Sequence, residues 1–187
     1  MSLRKASLVL ALSGLAGPVL AHDAPLPAPR PFDAMRGPCT DFAMDISREV
    51  QTWAARPPVQ MPASAQPDDA LTLRAGEVFG LVLNPHPDVS FDVEPEQNRG
   101  ADDNFSGHAR VTIPTAGLWR VAASNGLWYD VVVDGAIVPS AAFEMQTQCA
   151  TPFKVVVFDL PAGEVALQFN GSRSAMVEVL VLPWSDH

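Results

Sequence analysis

From Ala70 onward this chain is a succession of short apolar runs broken by turn residues, and that pattern limits the folds open to it. The runs are 71–73, 78–83, 89–93, 109–113, 118–123, 127–133, 136–138, 153–160, 165–169 and 175–182. Valine, leucine and aromatic residues fill them, and Arg-Ala-Gly, Asn-Gly, Asp-Gly and Pro-Ala-Gly separate them. Such residues between such turns read as strands, because branched and aromatic side chains pack well on a pleated surface. About ten short strands at this spacing predict an all-β fold, an antiparallel β-sandwich of jelly-roll-like outline, over residues 70–187. Asp134-Gly135, between VVV and AIV, has the composition of a two-residue hairpin turn.

Upstream the period changes. Phe42, Ile46, Val50, Trp53 and Ala54 recur at spacings of three and four, which predicts one helix between Thr40 and Ala55, packed on the sandwich through that stripe. Thr40 or Asp41 can cap its start, and Pro57-Pro58 ends it. The segment 57–69 reads as a proline-rich linker, and 22–38, with five prolines and no apolar period, as an extended lead. The helix and linker, 39–69, belong with the sandwich in one domain.

Residues 1–21, MSLRKASLVLALSGLAGPVLA, carry Arg4 and Lys5, then a short apolar run and a small-residue exit. This is the pattern of a secretory signal peptide, so a periplasmic or secreted protein starting at His22 is expected. Losing those two cations moves the formal net charge from −9 to −11. No basic stripe is left to neutralise phosphates, which argues against nucleic acid and anionic lipid as partners. Cys39 and Cys149, an even pair in an oxidising compartment, read most simply as a disulfide.

Two regions could carry chemistry. The stretch 84–108, NPHPDVSFDVEPEQNRGADDNFSGH, holds six carboxylates, one arginine and two histidines. His86 and His108 with Glu94 or Glu96 are the residue types of a 2-His-1-carboxylate iron site, and a free His22 amine could join a histidine on copper. Asp102, Asp103 and Asn104 offer oxygens to calcium, without the spacing of a known calcium loop. The plain alternative is an acidic, solvated loop between strands.

The second region is GLWRVAASNGLWYDVVVDG, 117–135. Strand alternation puts Leu127, Tyr129, Val131 and Val133 on one face and Trp128, Asp130 and Val132 on the other. A carboxylate between valines is costly to bury without a donor, and Lys154 or Arg120 can supply one. Trp119, Trp128, Asp130 and Lys154 are therefore the candidate ligand-binding residues, forming the wall and polar contacts of a small concave site. The alternative is a core tryptophan beside a satisfied ion pair. No Gly-x-Ser-x-Gly elbow or phosphate-binding glycine loop occurs.

IPTAGLWRVAASNGLWYDVVVDG, the segment from Cys149 to Lys154, FDLPAGEVALQFNG, and an early cysteine followed by Trp53-Ala54-Ala55-Arg56-Pro57 together resemble a group of small secreted bacterial β-sandwich proteins. Some of these carry the name homogentisate 1,2-dioxygenase. Enzymes of that name are larger, cupin-fold iron proteins, and no cupin metal motif occurs in this chain. In the group histidines often precede the second cysteine, where Glu144-Met145-Gln146-Thr147-Gln148 stands here. The reading that results is an exported, non-catalytic binding or accessory module for a small molecule, glycan or protein partner, with no cofactor. The reading of a different class is a non-haem iron or copper enzyme using His86, His108 and a loop carboxylate.

Overall fold

A computed structural model of the protein describes residues 25–184; the leader at 1–21 and His22 lie outside the described residues. In chain order the elements are helix α1 (Ser47–Ala55) and strands β1 (Val59–Pro62), β2 (Thr72–Arg74), β3 (Val78–Val82), β4 (Asn84–Pro85), β5 (Phe105–Ile113), β6 (Gly117–Ala123), β7 (Trp128–Val133), β8 (Ala136–Ile137), β9 (Ser140–Met145), β10 (Lys154–Leu160), β11 (Gly163–Ser172) and β12 (Met176–Pro183). The first sheet runs β1-β3-β12-β6-β10-β9, and the second runs β2-β5-β11-β7-β8 with β4 also paired to β5. All pairs are antiparallel except β1 with β3 and β2 with β5. The sandwich is as expected, with two parallel pairs added. Asp134 and Gly135 both take positive φ in the β7–β8 turn, as that hairpin requires.

Three assignments differ. Residues 89–93 form no strand, and Gln168 Nε2 and His108 Nε2 instead take the carbonyls of Val93 and Ser90. Val59–Pro62, inside the expected linker, pairs with β3, and Ser140–Met145, absent from the expected strands, pairs with β10.

The first sheet is apolar on both faces. Val121, Ala123, Val156, Phe158, Val179 and Val181 face the second sheet and join its Val111, Val131, Leu167 and Phe169 in one core. The alternate residues Ala122, Val155, Val157, Leu180 and Leu182 point the other way and pack with Met44, Ile46, Trp184 and Cys149. Near-continuous apolar strands such as KVVVFDL have this meaning: both faces are covered. The cover is the segment from Leu26 to Ala55.

That segment is held by specific bonds. Cys39 and Cys149 are joined across a separation of 110 residues, a loop whose closure is worth about 4–5 kcal/mol in the chain-entropy model. Arg30 bonds the fully buried Glu144 at 2.9 Å, and the Ala43 amide bonds the other oxygen of that carboxylate. Gln146 accepts from the Gly37 amide and donates to Asp41 O. The lead is therefore strapped down well before Cys39.

Helix α1 is shorter than predicted, and only part of the predicted stripe docks: Phe42, Ile46 and Trp53 pack on the first sheet, while Val50 and Ala54 are exposed. Phe42 and Ile46 precede it, and Val50 is 39% exposed. The buried helical side chain is Glu49, which meets Arg120 of β6 at 3.0 Å, while Trp53 Nε1 donates to Glu178. Arg120 also stacks on Trp184, 4.3 Å from the ring centroid. Arg120 is thus the partner of Glu49, and it is not the donor for Asp130. Among the described residues no helix is long and apolar enough to cross a membrane.

A buried pair is stabilising only while both members are present. Glu49→Leu should therefore lower stability to urea by about 3–5 kcal/mol, and adding Arg120→Met should recover most of that loss. Single variants indistinguishable from wild type would show that the helix is docked by something else.

Candidate functional site

On β7, Tyr129 and Val131 turn into the core, while Trp128 and Asp130 turn outward, as alternation requires. Lys154 opens β10 with the same parity as Val156 and Phe158, so its side chain enters the space between the sheets. At this margin β8 has two residues and β9 is the edge strand of its sheet. A cavity of about 460 Å³ opens at this margin, lined by Trp128, Tyr129, Phe143, Met145, Lys154 and Phe158 among others. Phe32, from the strapped lead, stands at the mouth 6.2 Å from the Phe143 ring, and Glu96, Gln97 and Arg99 form the opposite rim.

The lysine is the unusual group. Its ammonium lies 4.4 Å from the Tyr129 ring centroid, 5.0 Å from Trp128 and 5.5 Å from Phe143, and donates to Leu127 O at 3.2 Å. Rings presented to a cation attract it, yet no carboxylate among the described residues forms a salt bridge with it. Burial, then the charge of Arg99, lower its pKa from 10.5 to about 8 against the opposing pull of Asp130. Burial raises the pKa of Tyr129 well above its ordinary value, so that phenol stays neutral and donates to Val121 O.

Asp130 has three other donors. Its Oδ1 accepts from Trp128 Nε1 at 2.8 Å, and its Oδ2 accepts from Gln168 Nε2 and the Glu96 amide, each at 3.3 Å. The expected choice between Lys154 and Arg120 as its partner is thus resolved against both. Arg99 Cζ lies 5.3 Å from the Trp128 centroid. Its guanidinium donates to Gln97 Oε1, and its carbonyl packs on Gly171, whose φ of +72° and lack of a Cβ allow the approach; a Cβ would stand 2.5 Å from that oxygen.

Of the four sequence-derived site residues, Trp128, Asp130 and Lys154 come together and Trp119 does not. Trp119 is 3% exposed in the inter-sheet core and donates to Thr115 O. It sits four residues along β6 from Ala123, the neighbour of Lys154, hence about 13 Å away at a strand's rise. Phe143, Tyr129 and Arg99 escaped sequence reading. The alternation of Phe143 and Met145 was a legible signal; nothing local marked Arg99.

The metal grouping is not assembled. His86 Nδ1 bonds Ser106 Oγ, His108 Nε2 bonds Ser90 O, and the Phe91 ring packs against both, 6.1 Å from one and 5.3 Å from the other. Glu94 and Glu96 are exposed, as are Asp102 and Asp103, and no group of three His, Cys, Asp or Glu side chains among the described residues could hold an ion. Burial lowers the pKa of His108, against its bond to Ser90 and the nearby Asp92. The stretch is not simply solvated either. Ser106 to His108 is buried strand, and Asn170, Gln168 and Asp130 bind the backbone of residues 93–97 onto the second sheet.

No protein-family model matches this chain, and no curated protein sequence does. Among solved structures it is similar to a β-glucosidase from Paenibacillus barengoltzii at 14% identity, over 67% of this chain and 13% of that one, with a TM-score of 0.27. A similarity of that size carries no argument.

The folded pKa of Lys154 lies below its unfolded value, so between about pH 8 and 10.5 the unfolded chain holds more protons and stability rises with pH. Lys154→Met lacks this rise. Its stability relative to wild type should fall by about 3 kcal/mol between pH 7.5 and 10.5 in urea titrations. Parallel curves would show that the ammonium is solvated.

Proposed function

We propose that this chain is an exported, non-catalytic binding module whose small-molecule ligand seats between Trp128, Phe143 and Lys154. The carrying observation is that the sandwich leaves an aromatic-walled cavity at one margin and places a buried ammonium in it. Its volume is within the range of small-molecule sites, and a largely preformed apolar cleft with few polar groups is the usual form of one. No histidine lines it, so a histidine-based catalyst has no place beside this ligand. A disulfide and a leader of secretory pattern support export to an oxidising compartment. The strap that carries Phe32 to the mouth is tied by that disulfide, which gives the site a fixed rim.

Screening small molecules by tryptophan fluorescence tests the reading. A response is expected that Trp128→Ala or Phe143→Ala abolishes while the thermal unfolding transition is retained. Responses unchanged in both variants would overturn the assignment. Stoichiometric iron or copper in purified protein, lost on His86→Ala or His108→Ala, would overturn the non-catalytic reading.

A further inference from the structure

Resting on that reading, we infer that the ligand is an amphiphilic organic monoanion, its single acidic group received between Lys154 and Arg99 and its apolar ring body lying against Phe143 and Met145.

Two cations are brought to one indole: Lys154 Nζ at 5.0 Å and Arg99 Cζ at 5.3 Å from the Trp128 centroid. Like charges so placed oppose each other unless an anion lies between or beside them. Asp130 offsets one of the two charges, and Glu96 stands on the exposed rim, where solvent screens it. Every charged group facing Lys154 can be named: Arg99 and Glu96 from the loop over the second sheet and Asp130 from β7, while β9 and the lead present Phe143, Met145 and Phe32. Both Asp130 oxygens already accept N–H groups, and Glu96 is exposed. An ammonium carries three N–H donors, and the Leu127 carbonyl takes one. Ring faces attract the charge but offer no oxygen to the others. A ligand carboxylate would supply acceptors for these donors and offset the second cation, and charge-assisted bonds are the strong ones.

The walls and charges favour this class. Val138, Phe143, Met145, Val156 and Phe158 offer no hydrogen-bonding side chain, so hydroxyls turned toward them would be left unpaired, and the ligand's body on that side is apolar. A cationic ligand would meet Lys154 and Arg99. A second negative charge would face Asp130, and the chain's net charge of −9 opposes polyanions. An apolar body with one acid fits both the walls and the charges.

Isothermal titration of the full disulfide-bonded protein with 2-naphthoate, 2-naphthylmethanol and 2-naphthylmethylammonium tests this at pH 7 and low salt. Naphthoate should bind about tenfold more tightly than the alcohol, and the ammonium compound should not bind. Lys154→Met should erase the preference while the alcohol still binds. Because that substitution touches buried structure, Arg99→Gln on the exposed rim is the second variant and should weaken naphthoate alone. With wild type, naphthoate affinity should fall as pH rises from 8 to 10, as the lysine loses its proton, and the alcohol's should stay level. Equal affinity for naphthoate and alcohol would overturn the charge assignment and leave the binding reading standing. No binding of any of the three would overturn both.

Discussion

A sheet with apolar side chains on both faces must have both covered, and the rest of this structure follows from that requirement. Val155, Val157, Leu180 and Leu182 point away from the second sheet. Fully burying a side chain of this kind is worth about 1.5–3 kcal/mol, so leaving four of them wet would forfeit roughly 6–12 kcal/mol, comparable to the whole stability of a typical domain. The N-terminal strap is therefore structural. Its fastenings, a disulfide and the buried pairs Arg30–Glu144 and Arg120–Glu49, lie on the face it covers.

The second sheet meets the same need with opposite chemistry. Its outer face carries buried Ser106, His108, Asp130, Gln168 and Asn170, and the last four hold the backbone of the loop before β5. Polar side chains that would be costly if orphaned become hooks for a segment with no ladder of its own. The two covers converge at the β8–β9 margin, where Phe32 arrives from one and Arg99 from the other. The cavity lies between them.

Lys154 is the group whose presence packing does not explain. Its depressed pKa means that the folded protein bears a cost to keep this cation at neutral pH. Groups shifted by burial and a specific neighbour, inside a cleft, are found at functional sites more often than elsewhere. A methionine there would fill the same space without the charge. The rings around the ammonium and the second cation on Trp128 make the margin an electrostatic feature as well as a gap.

The sandwich, the Asp134-Gly135 hairpin and the pairing of Cys39 with Cys149 were legible in the sequence because each rests on a simple rule: alternation, turn chemistry, and an even count of cysteines in a chain whose first residues have a secretory pattern. The need of a carboxylate among valines for a donor grouped Trp128, Asp130 and Lys154 in the sequence; the structure brings the three to one cavity, but the donors are Trp128, Gln168 and the Glu96 amide and not Lys154. The tertiary structure decided the rest. Arg120 could have met Asp130, but strand parity sends it to the other face and to Glu49; Trp119 has the right chemistry but sits too far along β6. His86 and His108 are of ligand type, yet Ser106, Ser90 and the Phe91 ring occupy them separately. Alternation and turn chemistry act between neighbours in the chain, so residue order alone carries them. Which side chains converge on a cavity depends on strand order and register, and those are set by pairings between segments far apart in sequence.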